Sequence, residues 1–130
     1  MEEDVAGLAA ALRKGATSAE ALLDRSLDRI RLHDRELNTF VAKDEAAARA
    51  AARASDKRLA QGKALSPLDG IPISVKDSIL VRGMPATWGN RGLADFVPER
   101  DELPVARLRA AGAVIVGKTH VPELTPEGYT

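Results

Sequence analysis

The chain has 130 residues, equal numbers of basic and acidic side chains (19 each), and no cysteine. A formal net charge of zero excludes the strongly basic class of nucleic-acid and anionic-membrane binders, so neither partner is predicted. The absence of cysteine excludes disulfide scaffolds, thiolate metal sites and cysteine nucleophiles.

The N-terminus and the apolar runs bear on location. The chain begins Met-Glu-Glu-Asp, which is acidic where a secretory signal would be basic and then apolar. No apolar run approaches the roughly 18 residues that a membrane-spanning helix needs. The sequence therefore predicts a cytoplasmic protein without a membrane partner.

The composition changes near residue 64. Up to that point the chain is rich in Ala, Leu, Arg and Glu and has no proline, whereas all seven prolines lie between Pro67 and Pro126. The shift predicts a helical part over 1–64 and an α/β part over 65–130, both within one domain.

Three helices are predicted in the first part. The first covers about 3–13 and ends at Gly15, and the second begins at a capping box formed by Thr17 and Glu20. The third runs from Asp44 as N-cap to near Gln61, with a face made mostly of alanine. Such a face predicts close packing against a neighbour.

The second part alternates between strand and helix patterns. Gly70 to Asp77 predicts a strand with Ile71, Ile73 and Val75 on one face and Ser74 and Lys76 on the other. A helix over about 102–111 capped by Asp101, and a buried strand over 113–116, complete a βαβ unit with parallel strands. Two parallel strands leave both sheet edges open, so the pattern predicts the front part of a larger α/β domain.

The segment from Gly112 to Thr119 matches the phosphate-loop pattern of two glycines followed by Lys118 and Thr119. A phosphate loop lies between a strand and a helix, so that its free amides can bind phosphate. Here the residues between the glycines are themselves predicted to be the strand. We therefore interpret the match as a helix end, a buried strand and a turn, and predict no nucleotide cofactor.

The other candidate side chains form no recognisable cluster. His33 and His120 have no partner at metal-ligand or triad spacing, so a surface role is predicted for both and no metal site is predicted. A Ser-His-Asp triad among the serines stays open, although no spacing points to one.

Lys76 is the strongest candidate for chemistry. Ligand sites of open parallel sheets form beyond the carboxyl ends of the strands, and Lys76 lies at such an end. Burial there would lower the pKa of the amine and allow it to accept a proton. A solvated lysine at a strand end is the alternative.

At this segment the chain resembles the amidase signature family. The resemblance begins with Leu68-Asp-Gly-Ile-Pro-Ile-Ser-Val-Lys-Asp77, and weaker similarity reaches back to residues 17–29 and 37–41. Further matching blocks follow in order: Val81-Arg-Gly83, Thr87-Trp-Gly89, Pro98 with Asp101, Val105 to Thr119, and Pro122-Glu123. The ordered set is highly specific, whereas any single block would be weak.

The resemblance implies the front part of a larger mixed-sheet fold and hydrolysis of carboxylic amides by a Ser–cis-Ser–Lys triad. Lys76 matches the lysine base, which takes a proton through the cis-serine from the nucleophilic serine. The Gly/Ser-rich block that carries both serines is expected after Tyr129, and the chain has neither a Gly-Gly nor a Ser-Ser pair. Asn90 stands where the family has serine. We therefore expect one of three catalytic residues, and no hydrolysis by this chain alone.

Three other functions remain open. The A subunits of tRNA-dependent amidotransferases share these blocks, but the segment from Val121 to Thr130 is more similar to free-standing amidases, which we favour. A non-catalytic module that pairs an open sheet edge with a partner chain is the second alternative. Nucleotide binding is the third, and the strand context of the Gly112–Thr119 match argues against it. The amide substrate and the oligomeric state are not predicted.

Overall fold

The structure is a computed structural model that describes residues 4–126. Its elements in chain order are α1 (Val5–Arg13), α2 (Ala19–Leu37), β1 (Phe40–Lys43), α3 (Glu45–Ala60), β2 (Pro72–Lys76), a 3₁₀ turn (Arg91–Leu93), α4 (Leu103–Ala110) and β3 (Val114–Thr119). The α/β class and the three N-terminal helices are confirmed. Residue 3, which the sequence placed in the first helix, lies outside the described residues.

The end of α1 agrees with the sequence, whereas the start of α2 does not. Gly15 has a φ of 68°, a left-handed conformation that suits glycine where α1 ends. Helix α2 begins one residue later than predicted, because Ser18 and not Thr17 is the N-cap and accepts from the amide of Ala21 at 3.0 Å. Its first amides are also bound by Asp56 of α3, so that the predicted capping box is replaced by a contact between two helices.

Helix α3 begins and ends as predicted, but the cap of α4 differs. Asp44 caps α3 by accepting from the amide of Ala47 at 2.9 Å. The N-cap of α4 is Glu102, without a side-chain capping bond, so the assignment of Asp101 to this position is wrong. The carboxylate of Asp101 instead accepts from the amide of Arg82 at 2.8 Å and holds the preceding loop.

The sheet has three strands in the order β1-β3-β2. Strands β2 and β3 are parallel and are joined through α4, which confirms the βαβ unit. Strand β1, which pairs antiparallel with β3, was not predicted, and β3 ends at Thr119, three residues later than predicted. A four-residue strand between two helices carries no clear periodicity of its own, and its ladder depends on residues about 75 positions away.

Two apolar clusters cover opposite faces of the sheet. Val114 and Val116 of β3 pack with α2 and α3, whereas Ile115 packs with Val81, Met84 and Val105.

The prediction of one shared apolar face on β2 is wrong, because Ile71 belongs to the first cluster and Val75 to the second. Ile71 precedes the strand, and the β2–β3 register shifts between Ile73 and Ser74.

Candidate functional site

Lys76 is the last residue of β2 and lies beside the last residue of β3. The two strands are parallel and pair Lys76 with Thr119, so both carboxyl ends meet at one edge of the sheet. The side chains of Lys76 and of Ser74 are exposed in the described part of the chain. The lysine is therefore where the sequence places it, at the position where open parallel sheets bind ligands.

The next residue, Asp77, is fully buried. Its amide donates to the carbonyl of Thr119 at 2.9 Å, which extends the β2–β3 pairing by one residue. Its carboxylate accepts from the amide of Thr87 at 3.2 Å and from the hydroxyl of Thr87 in a short hydrogen bond. Asp77 thus joins the end of β2 to the loop that follows Pro85.

Lys118 is fully buried on the same edge, within β3. Its ammonium donates to the carbonyls of Pro85 and Asp77 at 3.1 and 3.3 Å, and lies 3.4 Å from the Asp77 carboxylate. Burial lowers the pKa of Lys118, and the negative charge of Asp77 opposes that shift without cancelling it. A buried ion pair therefore lies at the strand end that carries the exposed lysine.

An open cleft of about 660 Å³ adjoins this edge and is lined by Thr87, Asn90, Arg91, His120 and Glu123 among others. The loop that contains Gly89 and the segment after β3 approach each other closely. A Cβ added at Gly89 would lie only 2.7 Å from the carbonyl oxygen of Val121. The amide group of Asn90 donates to the Glu123 carboxylate at 2.8 Å across the same junction. The cleft is therefore formed by two loops that hold each other.

Backbone strain is concentrated at this junction. Trp88, Leu124 and Thr125 have φ values of 54°, 51° and 61°, and the amide of Leu124 donates to the carbonyl of Trp88 at 2.8 Å. Left-handed backbone is costly for residues with a Cβ, most of all for β-branched threonine. The strain marks the cleft as a place where the surrounding structure imposes the conformation.

The two histidines lie apart. His33 is exposed on α2, in agreement with the predicted surface role, whereas the half-buried His120 follows β3 and lines the cleft. Within residues 4–126, no group of three His, Asp or Glu side chains could hold a metal ion. Over the same residues no helix combines the length and the apolar character that crossing a bilayer requires.

The phosphate-loop match contains a strand, as interpreted from the sequence, but the turn expected at its end is wrong, because Gly117 to Thr119 continue β3. The strand pairs with β2 along its length and with β1 at Gly117 to Thr119, so its amides take part in the sheet. The burial of Lys118 and Asp77 was not predicted from the sequence. The one available signal was that the apolar run of β3 continues through Gly117 directly into a lysine.

A family profile described as Amidase matches residues 21–130. Among curated proteins, the glutamyl-tRNA(Gln) amidotransferase A subunit of Anaeromyxobacter sp. (strain K) is 46% identical over 123 residues, which are 95% of this chain and 24% of that protein. Its counterpart of the same name in Chloroflexus aurantiacus is 46% identical over 88% of this chain and 23% of its own length.

Solved structures give the same result for the fold. The native peptide amidase of Stenotrophomonas maltophilia superposes with a TM-score of 0.89 at 35% identity, over 94% of this chain and 25% of that one. An amidase family protein of Bacillus anthracis superposes with a TM-score of 0.85 at 30% identity. The chain spans about a quarter of the length of the relatives that it matches.

Proposed function

The chain belongs to the amidase family, and on that premise we propose that it supplies the lysine base of an amidase with a Ser–cis-Ser–Lys triad. The observation that carries the proposal is the place of Lys76, at the carboxyl end of a parallel strand and inside the block that resembles the family most strongly. The family match supports hydrolysis of carbon–nitrogen bonds as the reaction class.

The lysine would act as a proton acceptor. An uncharged amine at position 76 takes a proton through the bridging serine from the nucleophilic serine, whose oxygen then attacks the amide carbonyl. The C–N bond then breaks as Lys76 returns the proton through the bridging serine to the leaving amine, and water hydrolyses the acyl-enzyme to the carboxylic acid and the free serine. Because Lys76 is exposed in the described residues, the surface that desolvates it is contributed by the part of an amidase that this chain does not span.

Neither serine of the Lys76 block fits the missing roles. Ser74 lies two residues before Lys76 on the same strand, and Ser78 follows Asp77 directly. We therefore propose that both serines come from the remaining three quarters of an amidase, and that this chain does not hydrolyse amides by itself.

A complete enzyme is needed to test the base. The chain is fused to the segment of the Stenotrophomonas maltophilia peptide amidase that follows the matching quarter, and hydrolysis of a peptide amide is measured. We expect Lys76→Ala to lower kcat by about 10²–10⁴-fold, the usual contribution of a general base. Lys63→Ala, at an exposed lysine before β2, is the matched control and keeps full activity. Full activity of Lys76→Ala would refute the proposal.

A role within a tRNA-dependent amidotransferase is the second candidate, favoured by the names of the curated relatives. It uses the same lysine, so Lys76→Ala does not distinguish the two. Substrate choice does: a free-standing amidase hydrolyses a peptide amide without other components, whereas an amidotransferase component requires its partner subunits and tRNA. We favour the free-standing amidase, on the sequence after β3.

A further inference from the structure

The backbone around Lys76 is held from several sides. The carbonyl of Lys76 accepts from the amide of Ile79 at 2.9 Å, and the amide of Asp77 donates to Thr119 at 2.9 Å. The carbonyl of Asp77 accepts from the Lys118 ammonium at 3.3 Å. The direction in which the Lys76 side chain leaves the sheet is therefore set by three hydrogen bonds, one of them from a buried charge.

The acceptors around the Lys118 ammonium all lie near the end of β2. A lysine ammonium has three N–H donors, and three acceptors surround it: two carbonyls, of Pro85 and Asp77, and the Asp77 carboxylate. All three belong to the end of β2 or to the loop that folds back on it. The ammonium ties the strand end and the loop to β3.

Stability alone does not explain such a pair. Removing two charges from water costs several kcal/mol per ion in general, and an apolar pair of similar volume is often as stable or more stable. Lys118 pairs in the sheet with Val75, which belongs to an apolar cluster with Val81 and Met84, so an apolar side chain at position 118 would be compatible with its surroundings. The ion pair differs from an apolar pair because it makes directional hydrogen bonds, which fix the positions of the Asp77 and Pro85 carbonyls.

We propose that Lys118 is a positioning residue that, through Asp77, holds Lys76 and the adjoining cleft wall in fixed relative positions. The link to the cleft is Thr87, whose hydroxyl donates to Asp77 and accepts from the amide of Gly89 at 3.1 Å. The role of Lys76 in this inference rests on the proposed function, whereas the tether itself does not.

The test removes both charges together. Lys118→Met combined with Asp77→Asn leaves no uncompensated buried charge, so the fold is expected to persist while the donors to Asp77 and Pro85 are lost. Backbone ¹⁵N relaxation of this chain is measured, with amide exchange of Ile115 and Val116 reporting on the sheet. We expect the order parameters of Lys76 and Thr87 to fall from about 0.85 to below about 0.6 while β3 stays protected.

Lys43→Met is the matched control, because Lys43 also ends a strand beside a carboxylate, at 3.2 Å from Asp34, but remains largely in solvent. It should leave the order parameter of Lys76 unchanged. If the double variant loses the protection of β3, Lys118→Gln combined with Asp77→Asn replaces it, because glutamine leaves a polar side chain in the buried site but is one bond shorter than lysine and carries no charge. Unchanged mobility of Lys76 in whichever variant stays folded would overturn the proposal.

Activity separates the tether from the function. In the fused enzyme the double variant is expected to lower kcat by about 10–100-fold with a smaller change in KM, because a displaced base impairs the chemical step. A residue that only stabilises the fold would leave kcat unchanged below the unfolding temperature. If Lys76→Ala is fully active, the proposed function fails, and the relaxation result still decides the tether.

Discussion

Asp69 is a buried carboxylate that joins α3 to the segment before β2. The guanidinium of Arg58 donates to both of its oxygens, at 2.9 and 2.7 Å, and the amide of Leu65 donates at 2.9 Å. Burial by itself would raise the pKa of Asp69, but these hydrogen bonds outweigh it and hold the pKa below its ordinary value of 3.8. The carboxylate also contacts Gly112, whose φ of 90° and missing Cβ allow the approach.

The stability of the chain should therefore depend on Asp69 in a defined pH range. Because the folded pKa lies below the unfolded one, this contribution is present above about pH 4 and is lost as the pH falls through the folded pKa. Asp69→Asn is expected to cost about 1–3 kcal/mol at pH 7 and less at pH 3, measured by urea unfolding. Asp28→Asn, at an exposed ion pair, is the control. An equal cost at both pH values would contradict the assignment.

At the scale of elements, β1 is attached to the sheet through β3 alone. The two strands approach closely at Gly117, where an added Cβ would collide with the carbonyl oxygen of Ala42 and lie 3.0 Å from the Phe40 ring. Glycine is required here by close backbone approach and not by a turn. Pairing of the missed strand in this register therefore requires glycine at this position of β3.

Gly117→Ala should displace β1 while leaving the β2–β3 pair in place. Overpacking of this kind typically costs about 1–3 kcal/mol. Amide hydrogen exchange is expected to accelerate over Phe40–Lys43 but not over β2. The matched control is Gly7→Ala on α1, where the nearest atom to a new Cβ is a flexible carboxylate at 3.2 Å. Unchanged exchange of β1 in Gly117→Ala would refute the steric argument.

Across the whole molecule, the two apolar clusters share the sheet as a common wall. Ile73 borders both clusters, and successive residues of β3 contribute to opposite sides. Loss of either cluster exposes a face of the same three strands, so the described residues are expected to unfold as one cooperative unit.

Leu23→Ala tests that unit, because Leu23 is fully buried in the cluster between the helices and the sheet. We expect a loss of about 2–5 kcal/mol from the cavity. Urea transitions followed by circular dichroism and by the fluorescence of Trp88, which lies in the segment between β2 and α4, should shift together. Leu32→Ala, at a residue 71% exposed, is the control. Two separated transitions would show that the faces unfold independently.

The structural features that could be predicted from the sequence are those determined by residues close together along the chain. The ends of α1 and α3 depend on Gly15, Asp44 and Gln61, each within one turn of the helix that it limits. The βαβ unit follows from the order of its patterns, and the place of Lys76 follows from where β2 ends. These inferences use contacts a few residues apart along the chain, and the structure confirms them.

The tertiary structure alone decided what depends on residues far apart in sequence. The strand β1, the capping of α2 by Asp56 and the distribution of β2 over two clusters each require a partner that no local pattern names. The burial of Lys118 also depends on distant residues. Its ammonium is buried because the carboxylate of Asp77 and two backbone carbonyls are brought to it by the fold. The sequence by itself determined the element order and the candidate base, because periodicity and end signals are local. Burial and hydrogen-bond partners became defined only when the chain closed on itself.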